Sequence, residues 1–102
     1  MPEFSTPFGG LAAGRKLTDA ELVRAVRFIV AAEYEAVQMY MQLAGSTDNQ
    51  VAAEVLKEVA DKERVHAGEF LRLLYELAPE EQKLYNEGAA EVQEIIEKLK
   101  GG

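Results

Sequence analysis

The feature that most constrains this chain is a pair of long apolar periods of about 3.6 residues, separated by a turn of only a few residues. The first runs Leu22, Val26, Ile29, Val30, Val37, Tyr40 and Ala44, with no proline or glycine until Gly45. Thr18-Asp19-Ala20-Glu21 opens it as a capping box, in which the Thr18 hydroxyl accepts a helix N–H and Glu21 reaches back. These signals predict a helix over 19–44, closed by Gly45 as a natural C-terminal glycine. Ser46-Thr47-Asp48 then offers a new N-cap, with Thr47 and Gln50 spaced as a second box. Ala52, Leu56, Val59, Ala67, Phe70, Leu73, Leu74 and Leu77 carry the same period to Pro79, predicting a helix over 48–77. So short a turn between two long helices leaves an antiparallel hairpin as the fold. Gly68 lies inside the second helix at a cost of about 1 kcal/mol relative to Ala, and close approach of another backbone is one reason to keep it.

Pro79 suits the first turn of a third helix, and Glu80 and Glu81 complement its positive end. Tyr85, Ala89, Val92, Ile95, Ile96 and Leu99 give that helix an apolar stripe, with Asn86-Glu87-Gly88 as a place to kink or split it. Met1 to Leu17 holds Pro2, Pro7, Gly9, Gly10 and Gly14 without periodicity and reads as a flexible N-terminal tail, residues 1–17, ahead of a helical domain over 18–100. No strand pattern or repeat is visible, so the class is all-α.

Three ionisable residues interrupt the stripes. Glu33 takes the slot between Val30 and Val37, and Glu63 and His66 take consecutive slots between Val59 and Phe70. A buried carboxylate is costly unless it is paired, protonated or bound to metal. Glu33 lies about 16 Å from the turn and Glu63 about 22 Å, a difference of about one helical turn. Glu63 and His66, spaced i, i+3, project from one face as a Glu-x-x-His pair. Di-iron carboxylate bundles take a lone Glu from each of two helices and a Glu-x-x-His from each of two others. The chain supplies half of that set, and two copies about a two-fold axis would supply four Glu and two His. Four carboxylates also balance two divalent ions. The competing reading is a polar core cluster with neutral His66 hydrogen-bonded to Glu33 or Glu63.

Composition narrows the chemistry. Eighteen Asp+Glu against 11 Lys+Arg give a net charge of −7, which disfavours nucleic acid and anionic membrane surfaces. No cysteine is present, which excludes thiolate ligands, Cys nucleophiles and rubredoxin-type iron. No apolar run reaches the roughly 18 residues of a membrane span, and Met1 to Gly10 does not read as a secretory signal, so a cytoplasmic protein is expected. Carboxylate oxygens with imidazole suit iron, with Ca, Mn or Zn as substitutes. Tyr40, two turns from Glu33 on nearly the same azimuth, is placed either to bond a ligand carboxylate or supply an electron, or simply to fill the core. Glu35 points about 200° away from Glu33 and either guides incoming iron or is a solvated surface residue.

Glu33-Tyr34-Glu35-Ala36-Val37 with Met39-Tyr40, followed by Asp61 to Phe70 (DKERVHAGEF), resembles the encapsulated ferritins, short rubrerythrin-like half ferritins. The resemblance covers about residues 18–99. It implies an antiparallel two-helix hairpin plus a C-terminal third helix, dimerising into a ferritin-like four-helix bundle and assembling into ring-shaped decamers. It implies a ferroxidase that oxidises Fe(II) with O2 at a di-iron site, two Fe per dimer interface, for iron storage within an encapsulin shell. By resemblance Glu33, Glu63 and His66 are the catalytic metal ligands, Tyr40 stands behind them, and Glu35 matches a secondary site on the path of incoming iron. Met39 departs from the aromatic found in some relatives. No encapsulin-targeting peptide is recognisable after the third helix. That leaves a chain cut short near Gly102, targeting through Met1 to Leu17, or a protein that is not a cargo. Two other functional readings stand beside the ferroxidase. One is a rubrerythrin-like peroxide reductase drawing on an external electron donor. The other is a metal-free helical oligomerisation module.

Overall fold

In a computed structural model, which describes residues 14–101, the chain forms three α-helices: α1 (Asp19–Ala44), α2 (Gln50–Leu77) and α3 (Pro79–Gly101). No strand occurs among the described residues. The expected capping box opens α1: the Glu21 N–H donates to Thr18 Oγ1 at 3.2 Å, and the Thr18 N–H donates to Glu21 Oε1 at 2.9 Å. Arg15 adds a bidentate clamp on the same carboxylate at 2.7 and 2.6 Å. With the Arg15 guanidinium beside it, the Glu21 carboxyl is held down at about 2. Of the stretch expected as a tail, residues 1–13 lie outside the described residues, and Gly14 to Leu17 are not helical.

The turn departs from expectation in two ways. Gly45 ends α1 at φ −79°, a right-handed conformation, so the glycine is not there for a left-handed cap. The helix stops because its last carbonyls find other donors: the Ser46 hydroxyl reaches Gln42 O at 2.7 Å, and the Ser46 N–H reaches Leu43 O. The second helix begins two residues later than the spacing suggests. Thr47 Oγ1 accepts from the Asn49 N–H at 3.1 Å, a local side-chain turn, and Asn49 Oδ1 caps α2 by accepting from the Ala52 N–H at 2.9 Å. The Thr47–Gln50 box therefore does not form.

Val26, Val30 and Ala44 of α1 meet Ala60, Ala67 and Leu74 of α2 in a buried seam. Alanines at three of these positions let the helix axes approach closely. The rest of each stripe is not covered: Leu22, Ile29 and Leu73 are exposed, on the side of the hairpin that carries Glu33, Glu63 and His66. A stripe wide enough for two neighbours has met only one.

The third helix is continuous through Gly88, so it does not split, and it buries no residue. It leaves α2 at Ala78 (φ −139°, ψ 75°), and its tie to α1 is ionic. Arg27 grips Glu81 through Nε at 2.9 Å and Nη2 at 2.5 Å, while the Tyr85 hydroxyl donates to the same carboxylate. Tyr85 also meets Tyr75 edge-on at 5.9 Å. The Arg27 guanidinium holds the Glu81 carboxyl down at about 2. A depressed carboxyl adds stability above the ordinary Glu pKa of 4.5 and loses it as pH falls toward about 2. Glu81→Gln is therefore expected to lower the melting temperature at pH 7 by the equivalent of at most about 1 kcal/mol, because Arg27 is half exposed. The variant and the native chain converge in melts near pH 2. A difference that persists there would mean the pair is not the source.

Candidate metal centre

Glu33 sits midway along α1, and Glu63 and His66 lie one turn apart on α2, so the hairpin alone brings the three to one height. One potential ligand atom from each lies within 4.8 Å of the other two. His66 Nδ1 is 3.7 Å from Glu63 Oε1 and 4.0 Å from Glu33 Oε2, both beyond hydrogen-bonding distance. The reading as a hydrogen-bonded polar core therefore finds no bond here. His66 is also 48% exposed, which is not the setting of a core histidine.

The carboxylates are half withdrawn from water while the imidazole stands at the rim. Glu33 Oε2 is buried and has no hydrogen-bond partner. A lone pair so placed has lost its water without a replacement, a cost of about 1–3 kcal/mol for a neutral group and more for a charged one. The Glu33 carboxyl is pushed above its ordinary value first by the facing Glu63 carboxyl, which can share a proton with it, then by burial and Glu63 charge; His66 pulls the other way. Each of these causes is relieved by a cation seated between the two carboxylates.

The donor set fits a hard or borderline divalent ion. Ligand atoms about 2.1 Å from one ion lie about 3 to 3.5 Å apart, a little closer than the separations here. Two oxygen donors and one imidazole leave open positions on such an ion. Tyr40 is half-buried and makes no hydrogen bond among the described residues. Glu35 is exposed and stands apart from the cluster. Sequence reasoning missed the Arg27–Glu81–Tyr85 cluster, whose partners lie 54 residues apart and carry no shared period. The one local signal was Glu81 in the first turn of α3, which reads as dipole complementation.

A helical hairpin that gathers a lone Glu and a Glu-x-x-His on one face has the arrangement of the ferritin-like carboxylate proteins. The chain belongs to the rubrerythrin family, whose profile matches residues 26–100. It is 38% identical over 100 residues to the encapsulin nanocompartment cargo protein EncC of Myxococcus xanthus, a match spanning 98% of this chain and 70% of that protein. It is 35% identical over 78 residues to a ferritin-like–encapsulin shell fusion protein of Pyrococcus furiosus, covering 76% of this chain and 23% of the fusion. The crystal structure of an encapsulated ferritin domain from Pyrococcus furiosus superposes with a TM-score of 0.76 at 34% identity, over 78% of this chain and 82% of that domain. The resemblance to the encapsulated ferritins is thus borne out, and so is the all-α three-helix fold. No described helix is long and apolar enough to cross a membrane.

Proposed function

We propose that two copies of this chain join through the face carrying Glu33, Glu63 and His66, and that the resulting four-helix bundle is a ferroxidase. The observation that carries this reading is Glu33 Oε2, a buried carboxylate oxygen without a donor, turned toward a second carboxylate and an imidazole. Exposed Leu22, Ile29 and Leu73 on the same side give a second copy apolar surface to cover. Relatives named as an encapsulin cargo protein and as an encapsulated ferritin support iron as the substrate and an encapsulin shell as the partner. Location inside such a nanocompartment and assembly beyond the dimer, to a decamer, belong to the same reading.

Fe(II) is the substrate. Glu33, Glu63 and His66 from each copy bind two ferrous ions, and four carboxylates offset their charge. Each Fe(II) gives up one electron, and two electrons with two protons take one O2 to hydrogen peroxide. The role of the protein is to hold the ligands in place and neutralise charge, while the electron transfer is the chemistry of iron. In this reading Tyr40, on the azimuth of Glu33 two turns along α1, would steady a ligand carboxylate of the assembled site, and exposed Glu35 would guide incoming Fe(II).

Anomalous scattering from crystals loaded with Fe(II) tests the site directly: density between two subunits, touching Glu33, Glu63 and His66, is the expected result. No density under ferrous loading would overturn the reading. A linked prediction concerns assembly. Four facing carboxylates repel without metal, so the metal-free dimer is weak, and Fe(II) strengthens it. At a hundred times its dissociation constant, anaerobic Fe(II) adds about 2.7 kcal/mol to stability. Native mass spectrometry and thermal melts with and without Fe(II) read this. Unchanged oligomer and melting temperature would separate metal binding from assembly.

A further inference from the structure

Tyr75 of α2 and Tyr85 of α3 face each other across the Ala78 joint, with ring centroids 5.9 Å apart and planes at 64° to one another. The Tyr85 hydroxyl donates to Glu81, and Arg27 of α1 grips the same carboxylate. The Arg27–Glu81 bond alone accounts for the direction of α3, and the proposed iron chemistry uses neither ring. We propose that Tyr75 and Tyr85 are a redox-active pair, which one-electron oxidants derived from hydrogen peroxide convert into a dityrosine cross-link between α2 and α3.

Three observations select this pair from the four tyrosines of the chain. The first concerns the proton. A phenol that has lost an electron is a far stronger acid than any carboxyl, so its oxidation is eased where a base stands at the hydroxyl. Among the described residues, Tyr85 is the one tyrosine whose hydroxyl donates to a carboxylate. Glu81 takes that proton and passes it to water, because the Arg27 guanidinium holds its carboxyl down at about 2. The second is a partner. Two phenoxyl radicals must meet in order to couple, and Tyr75 with Tyr85 is the one close pair of tyrosines among the described residues. The third is freedom to turn. No residue of α3 is buried and Tyr85 is 46% exposed, so its ring can rotate out of the edge-on contact. Exposure alone would choose differently: Tyr34 is 55% exposed, but it has neither a carboxylate at its hydroxyl nor a tyrosine beside it.

In the reaction each phenol gives up one electron and one proton. The two radicals join through ring carbons beside the hydroxyls, and the hydrogens on those carbons move to oxygen as the rings regain aromaticity. The two electrons and two protons released reduce one hydrogen peroxide to two waters. The new carbon–carbon bond pins α3 to α2 beside the joint. Only the supply of peroxide by iron rests on the ferroxidase reading; the reactivity of the pair does not.

The test treats the purified full chain with hydrogen peroxide and an added peroxidase in one arm, and with Fe(II) in air in the other. Blue dityrosine fluorescence is expected, with tryptic peptides 73–83 and 84–98 recovered as a joined species two hydrogens lighter than their sum. Tyr75→Phe and Tyr85→Phe are each expected to abolish that species. Glu81→Gln removes the base and is expected to lower the yield by at least about ten-fold. Arg27→Gln breaks the clamp but keeps the base, so its yield stays at or above that of the native chain. Equal losses in Glu81→Gln and Arg27→Gln would make Glu81 a clamp only and overturn the proposal. So would a link through Tyr34 or Tyr40, or methionine oxidation with the tyrosines untouched. Rapid Fe(II) oxidation with no link in either arm would overturn the proposal and leave the ferroxidase reading standing. A link formed with the peroxidase, alongside Fe(II) oxidation no faster than in buffer, would support the pair and count against the ferroxidase alone.

Discussion

Glu33→Ala and His66→Ala are each expected to bring Fe(II) oxidation down to the rate of the buffer reaction, a loss of at least about a hundred-fold. The size follows from what each group does. Removing one group that stabilises developing charge costs about 10²–10³ in rate. Here each substitution removes two such groups, one from each copy across the interface. The measurement is the rise of ferric absorbance after anaerobic protein and Fe(II) meet air-saturated buffer, with hydrogen peroxide in place of O2 as a second arm. Glu54→Gln, an exposed acidic residue elsewhere on α2, serves as the control and is expected to oxidise iron at the native rate. Oxidation that survives Glu33→Ala would sink this site as the ferroxidase centre, and a native chain no faster than buffer, unchanged by Glu33→Ala or His66→Ala, would be a metal-free oligomerisation module. Faster turnover with peroxide than with O2 would favour the peroxide reductase. Glu33→Gln separates charge from packing: it keeps the shape but removes the repulsion with Glu63, so the metal-free protein should melt at or above the native temperature while oxidation is lost.

The second large effect is structural. Leu74 is 2% exposed and, with Val26, is the largest side chain sealed in the seam between α1 and α2. Leu74→Ala is expected to cost about 2–5 kcal/mol, the sum of lost transfer energy and the cavity left behind. At about 4–8 °C per kcal/mol for a domain of this size, the metal-free melting temperature should fall by at least about 8 °C at fixed protein concentration. The seam is otherwise built from alanines and valines, which cannot expand to fill the space. Val51→Ala, at a residue 75% exposed, should change the melt by no more than about 0.5 kcal/mol. A fall of less than about 3 °C for Leu74→Ala would mean that stability resides in contacts between copies rather than in the hairpin seam.

Much of the candidate site was legible because it is written in helical phase. Glu33 fell on the apolar stripe of α1, and Glu63 and His66 on that of α2. Their distances from the turn, at about 1.5 Å per residue, put them within about one helical turn in height. The structure brings the three within 4.8 Å, as that reasoning expects. The Thr18–Glu21 box was legible for the same reason, since both partners lie within one turn. The start of α2 was not: Thr47, Asp48 and Asn49 are all good caps, and only the path of the turn let the Thr47 hydroxyl bond to Asn49 and hand the cap to that residue.

The sequence by itself determined the three helices, the hairpin and the carboxylate–histidine face, because these depend on periods and on partners a turn or two apart. The tertiary structure decided which half of each stripe is covered, leaving Val26 sealed while Leu22 and Ile29 face outward. It also decided the direction of α3, through a bond between Arg27 and Glu81 across 54 residues. The reason is one of range. Helical phase is local and accumulates predictably, whereas the angle at Ala78 and the donor missing at Glu33 Oε2 depend on how whole helices settle against one another.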